Sequence, residues 1–105
     1  MNGSSRSGNL DLSVVIVSYN VRSYLAECLD SIEAACDGIG KEIFVVDNAS
    51  IDGSAQWVAE HYPAISLFAN TENVGFARAV NQALRLAQGP YVLLLNPDTL
   101  SLIHI

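Results

Sequence analysis

The sequence predicts an α/β fold in which a mainly parallel β-sheet is wound by helices into three layers. Two observations carry this reading. Short apolar runs, Val14 to Val17, Ile43 to Val46 and Tyr91 to Leu95, are continuous rather than alternating, as in strands buried on both faces, and Ile65 to Phe68 adds a weaker fourth. Between consecutive runs, apolar residues recur at helical spacing, so strands and helices alternate as β-α-β-α-β-α-β.

The first strand spans Leu12 to Tyr19. From Ser23 the period changes: Leu25, Cys28, Leu29, Ile32 and Cys36 fall on one helical stripe, ended by Gly38 and Gly40. The second strand delivers Asp47 and Asn48 into a loop. Asp52, Gly53 and Ser54 then open a helix carrying Ala55, Val58, Ala59 and Tyr62, and Pro63 ends it. After the third strand and the polar loop Asn70-Thr71-Glu72-Asn73, the residues Phe76, Val80, Ala83, Leu84 and Ala87 make a third stripe, with Phe76 expected in the core. Gly89-Pro90 closes it, and the strand from Tyr91 follows.

Right-handed crossovers in the order 3-2-1-4 would make strands 1 and 4 neighbours and reverse the winding between them. The crevice at that reversal is where ligands collect in such sheets. It would be lined by Ser18-Tyr19-Asn20, by Asp47-Asn48-Ala49-Ser50 and by Asn96-Pro97-Asp98. Each cluster alone is ordinary turn and cap chemistry; their convergence at three strand ends points to a ligand.

Composition narrows the ligand. The 105 residues suit one domain, half of them are apolar, and the formal net charge of −6 lacks the basic face that nucleic-acid binding needs. An anionic small ligand would need a cation or helix N-termini to receive it. Cys28 and Cys36, eight residues apart in one predicted helix, would be separated by about 12 Å at 1.5 Å per residue, too far for a disulfide. With His61 and His104 remote in sequence, a Cys/His zinc site is unsupported, and a reducing, cytoplasmic setting fits. No run approaches the roughly 20 apolar residues of a membrane span. Residues 1–9 read as a polar, disordered tail, 10–99 as the folded portion and 100–105 as an atypical C-terminal tail, either divergent or artefactual.

Four segments in order carry a more specific resemblance: Val17-Ser18-Tyr19-Asn20; Val46-Asp47-Asn48-Ala49-Ser50-Ile51-Asp52-Gly53-Ser54; Asn73-Val74-Gly75-Phe76-Ala77-Arg78-Ala79-Val80-Asn81; and Leu94-Leu95-Asn96-Pro97-Asp98-Thr99. Over roughly residues 10 to 99 the chain resembles the N-terminal, nucleotide-binding portion of family 2 glycosyltransferases of the GT-A type, the rhamnosyltransferase-like members among them. The resemblance implies transfer of a sugar, with inversion, from a nucleotide diphosphate donor such as a UDP- or dTDP-sugar, including dTDP-rhamnose, to a glycan or lipid-linked acceptor. It also implies a cytoplasmic enzyme of cell-surface polysaccharide biosynthesis, working at the inner face of the membrane.

Asp47 matches the family position that contacts the nucleobase, and a carboxylate can accept the ring N–H of uracil or thymine; the alternative is a turn cap, a task for which Asp52 is better placed. Asp98 matches the last acid of the Asp-x-Asp motif that holds Mg2+ or Mn2+ against the donor diphosphate. Asn96 stands where many relatives have the first acid, which removes one negative charge from the metal site. Tyr19 and Asn20 match positions near the nucleotide. Asn73 and Gly75 open the third helix, where free N–H groups attract phosphate and Gly75 permits close approach. Arg78 could pair with a diphosphate oxygen or stay solvated.

No residue matches the family's general base, which belongs to a following half with the acceptor region. The expectation is a catalytically incomplete fragment whose last apolar strand is left with an uncovered edge prone to self-association. Two other readings stand beside it: a nonenzymatic nucleotide-binding module, and a receiver-like signalling domain, which would want paired acids where Asn20 stands.

Overall fold

A computed structural model describes residues 10–20, 22–96 and 101–104. Strand β1 (Leu12–Ser18) leads to helix α1 (Arg22–Ala35), β2 (Lys41–Asn48) to α2 (Ser54–His61), β3 (Ser66–Asn70) to α3 (Phe76–Leu84), and β4 (Tyr91–Asn96) to β5 (Ser101–His104). The sheet order is β3-β2-β1-β4-β5. The first four strands are parallel in the expected 3-2-1-4 order, with β1 between β2 and β4.

Strand periodicity divides the core in two. Val14, Ile16, Ile43 and Val45 pack with Leu25, Leu29 and Ile32 of α1 and Val58 of α2, whereas Val15, Val17, Phe44, Val46 and Leu94 pack with Ala79, Val80 and Ala83 of α3. Adjacent residues of β1 and β2 therefore point to opposite helical layers, and both faces need to be apolar. The continuous runs of the sequence follow from that burial.

Three expectations are corrected. Phe76 is 37% exposed rather than core: it opens α3 at the carboxyl rim of the sheet, and the small residues Ala79 and Ala83 let the helix lie close to the strands instead. Cys36 lies one residue beyond α1, and both cysteines are free. The edge of β4 is not open, because β5 pairs antiparallel with it from Asn96↔Ser101 to Leu93↔His104; the backbone edge on which self-association was expected is used within the chain.

At the opposite end of the sheet, Gly89 brings the chain against β1. A Cβ at Gly89 would lie 2.8 Å from the Ser13 nitrogen and 2.9 Å from the Leu12 carbonyl carbon. The Gly89 N–H donates to Ser13 Oγ at 2.8 Å, and that hydroxyl donates to Glu42 at 2.6 Å. No helix among the described residues is long and apolar enough to cross a membrane.

Candidate functional site at the carboxyl ends of the strands

Winding reverses between β1 and β4, so the crevice opens where these strands and β2 end. Ser18 and Asp47 are register partners there, and the β1–β4 ladder ends at Ile16↔Leu95, leaving Asn96 just beyond it. By strand parity, Ser18 and Asp47 face the α1/α2 layer while Asn48 faces α3. The fold thus brings Ser18, Asp47, Asn48 and Asn96 to one rim, with the side chains of the first three divided between the two layers. Asp98 lies outside the described residues.

Two loops on this rim are laced together. Asp47, 2% exposed, accepts the Ser50 N–H at 3.0 Å and the Ser50 hydroxyl at 2.6 Å. Ser50 Oγ in turn accepts the Asn20 N–H at 2.8 Å, and Asn20 Oδ1 accepts the Ile51 N–H at 2.8 Å. Asn20 and Ala49 sit opposite one another in this clasp with φ of 51° and 63°, a region unfavourable for any side chain and more so for alanine than for asparagine. Ser18, fully buried beside Asp47, has a hydroxyl with no partner.

The N-cap position of α2 is taken by Gly53 and not by Asp52, which acts on the same helix start from one residue earlier. One carboxylate oxygen accepts the Ser54 N–H at 3.0 Å and the Ser54 hydroxyl, and the other accepts the Arg22 N–H at 3.0 Å, so a single side chain holds the starts of α1 and α2 together. Burial pushes its pKa up, but the hydrogen bonds from the Ser54 hydroxyl and from the Arg22 and Ser54 N–H groups outweigh it and bring the carboxyl below its ordinary value. Asp52 also lines a cleft of about 410 Å³ with Asn20, Arg22, Ser23, Ala26 and Trp57. There the Arg22 guanidinium stands 6.0 Å over the Trp57 ring. Neither Arg22 nor Trp57 was singled out by sequence, because nothing local indicates that the start of α1 meets α2.

On the other layer, Asn48 is 3% exposed and joins three elements. Its Oδ1 accepts from Asn70 Nδ2 at 3.0 Å and from the Val74 N–H at 3.4 Å, and its Nδ2 donates to the Gly75 carbonyl at 3.2 Å. Asn70 and Gln82 exchange amide hydrogen bonds at 2.8 and 2.9 Å. Gly75, at φ 86° and ψ 169°, adopts a conformation open essentially to glycine alone, and its N–H donates to Asn73 Oδ1 at 2.8 Å. Among the described residues no side chain caps α3, which leaves its first N–H groups to receive an anion. Arg78, exposed on the first turn, shares a groove of about 340 Å³ with Val74, Asn81, Gln82 and Arg85. Tyr19 is half exposed at the end of β1.

Among the described residues no three His, Cys, Asp or Glu side chains gather in a way that could hold a metal ion.

The model of the family described as "Glycosyl transferase family 2" matches residues 13–102, the span that includes every segment of this rim. The chain belongs to glycosyltransferase family 2. It is 34% identical over 99 residues to the minor teichoic acid biosynthesis protein GgaB of Bacillus subtilis, covering 90% of this chain and 11% of that protein. It is 32% identical over 92 residues to a dolichol-phosphate mannosyltransferase of Pyrococcus furiosus, covering 85% of this chain and 26% of the relative.

Solved glycosyltransferases share the fold. The mannosyltransferase PcManGT of Pyrobaculum calidifontis, in complex with GDP-Man and Mn2+, superposes with a TM-score of 0.70 at 36% identity, over 83% of this chain and 27% of that one. S. aureus TarS in complex with UDP gives 0.74 at 30% identity, over 85% and 28%. The chain thus spans about a quarter or less of the curated relatives named here, and its GT-A-type, parallel α/β architecture is the N-terminal portion of theirs.

Proposed function

We propose that this chain is the donor-binding portion of a glycosyltransferase that moves a sugar from a nucleotide diphosphate to an acceptor hydroxyl with inversion, and that by itself it binds donor without transferring. The observation that carries the reading is the family match over residues 13–102, whose segments converge on the rim where β1, β2 and β4 end. The share of the relatives spanned supports the division of labour, the acceptor region and general base belonging to the remainder of a whole enzyme.

Each side chain then has a chemical task. Asp47 accepts the ring N–H of the base through lone pairs that Ser50 leaves unused, since an ionised carboxylate offers about four such sites. Ser18, Tyr19 and Asn20 flank the nucleoside. Asn48, Asn73 and Gly75 shape the loop before α3, whose uncapped N-terminus and Arg78 receive the diphosphate. Asn96 and Asp98 match the family's metal-diphosphate motif, and Asp98 would hold Mg2+ or Mn2+. The ion supplies charge neutralisation on the departing diphosphate.

Uracil and thymine donors, dTDP-rhamnose among them, suit the Asp47 assignment, while the likeness to a GDP-Man complex brings GDP into the comparison. The test is calorimetric titration of UDP, dTDP and GDP into the 105-residue chain with and without Mn2+. Saturable, Mn2+-dependent binding of at least one, reduced at least about tenfold by Asp98→Ala through loss of a charge-assisted ligand, is expected. Absence of binding in the folded chain would contradict the reading, and sugar transfer by the chain alone would contradict its division of labour.

A further inference from the structure

We propose that Gln82 and Asn70 are positioning residues that hold the loop Asn73-Val74-Gly75 in its ligand-ready conformation, acting through Asn48. The inference rests on the donor-site reading for its consequence, but its geometry is independent of it. Gln82 lies on the second turn of α3 and Asn70 ends β3, twelve residues away. Both are half-buried; Gln82 also lines the groove it shares with Arg78, so the Val74 amide exchange of the nucleotide-free chain is the readout that isolates positioning from direct contact.

The direction of the network is set by donor and acceptor arithmetic. Asn70 Nδ2 has two protons: one goes to Asn48 Oδ1 at 3.0 Å, the other to Gln82 Oε1 at 2.8 Å. Asn70 Oδ1 is filled by Gln82 Nε2 at 2.9 Å. The backbone N–H of Val74 and carbonyl of Gly75 set the sense of the Asn48 amide, and Asn48 Oδ1 sets that of Asn70. The reciprocal pair with Gln82 holds Asn70 in place, and through it Asn48, whose Oδ1 and Nδ2 engage the loop. Gly75 needs this hold from two sides because its backbone, at φ 86° and ψ 169°, has no side chain to anchor it and gives α3 its starting direction.

The reason Gln82 matters more than a surface amide is that removing it orphans groups already withdrawn from water. Asn48 is 3% exposed, and a loosened Asn70 leaves its oxygen short of a donor. Two variants separate the requirements. Gln82→Met keeps volume and removes both hydrogen-bonding functions, and Gln82→Glu keeps the acceptor but sets a second oxygen against Asn70 Oδ1.

The test reads the exchange rate of the Val74 amide by NMR and the affinity for UDP and GDP in Mn2+, on the full chain. Ile32→Val, a core truncation on the opposite layer, serves as a control for general loss of stability. Both Gln82 variants are expected to speed Val74 exchange and weaken nucleotide binding, each by about fivefold to tenfold, the effect of losing one buried hydrogen bond, whereas Ile32→Val changes neither beyond its global effect. Gln82 variants indistinguishable from Ile32→Val in both readouts overturn the positioning role. Accelerated Val74 exchange in a chain that binds neither nucleotide supports the positioning role and overturns the donor-site reading instead.

Discussion

Ala49 and Asp52 show how single residues set this rim. Ala49 is held at φ 63° where the β2–α2 loop meets Asn20, and alanine in the left-handed region carries a steric cost that glycine does not. Ala49→Gly is expected to stabilise the fold by about 0.5–1 kcal/mol in chemical denaturation, despite the added freedom of the unfolded chain. Asp52→Ala removes the cap shared by α1 and α2 and should cost about 1 kcal/mol at neutral pH. Because its carboxyl is lowered in the folded state, that contribution is present above the ordinary carboxylate pKa and is lost as pH falls through the folded value. Wild type and variant should therefore differ in denaturation midpoint at pH 7 and converge in acid, below about pH 3.9.

The engagement of Asp52 with the start of α2 was legible in the sequence as local helix-entry chemistry, although Gly53 takes the N-cap position itself. The Asn70–Gln82 pair was not. Asn70 sits at the head of a polar loop and reads as turn chemistry, and its partner is brought to it only by the packing of α3 across the sheet.

At the level of elements, the continuous apolar runs revealed the strands because burial on both faces leaves no polar alternation to confuse them. Phe76 was misread for a related reason. The period of its helix was right, but period does not say where along a helix the sheet begins, and the first turn of α3 projects at the rim. Strand β5 was illegible: four residues are too few for a pattern, and their pairing depends on the edge that β4 offers.

Contact between the α3–β4 turn and β1 makes a sharper demand than either element's propensity. With the Cβ site of Gly89 2.8 Å from backbone and side chain of Ser13, Gly89→Ala must push the two apart and disturb the Gly89–Ser13–Glu42 hydrogen bonds. A loss of about 2–3 kcal/mol is expected by urea denaturation, in the range of overpacking, and Ser13→Ala in the same background should recover little, because backbone atoms remain in the way.

For the whole molecule, the decisive property is sheet order. Placing β1 between β2 and β4 puts α1 and α2 on one layer and α3 on the other, and it assembles Ser18, Asp47, Asn48 and Asn96 at a single rim from segments spread over most of the chain. That order matches the one considered by analogy with half of a doubly wound sheet; alternation and crossover handedness alone are compatible with other orders. What alternation left open was the internal wiring of the rim: Asp47 clasped by Ser50 on one layer, Asn48 engaged with the α3 loop on the other. Membership of glycosyltransferase family 2 removes the ground for a receiver-like domain.

The central claim is that the donor lies at this rim and bridges both layers. Amide chemical-shift mapping of the chain during titration with UDP or GDP and a diamagnetic cation, Mg2+, tests it directly. Perturbations are expected to concentrate at Ser18 to Asn20, Asp47 to Ser50, Asn73 to Arg78 and Asn96, with the Gly89 turn at the far end of the sheet unaffected. Saturable perturbations confined to the Gly89 end, or to one helical layer, would contradict it.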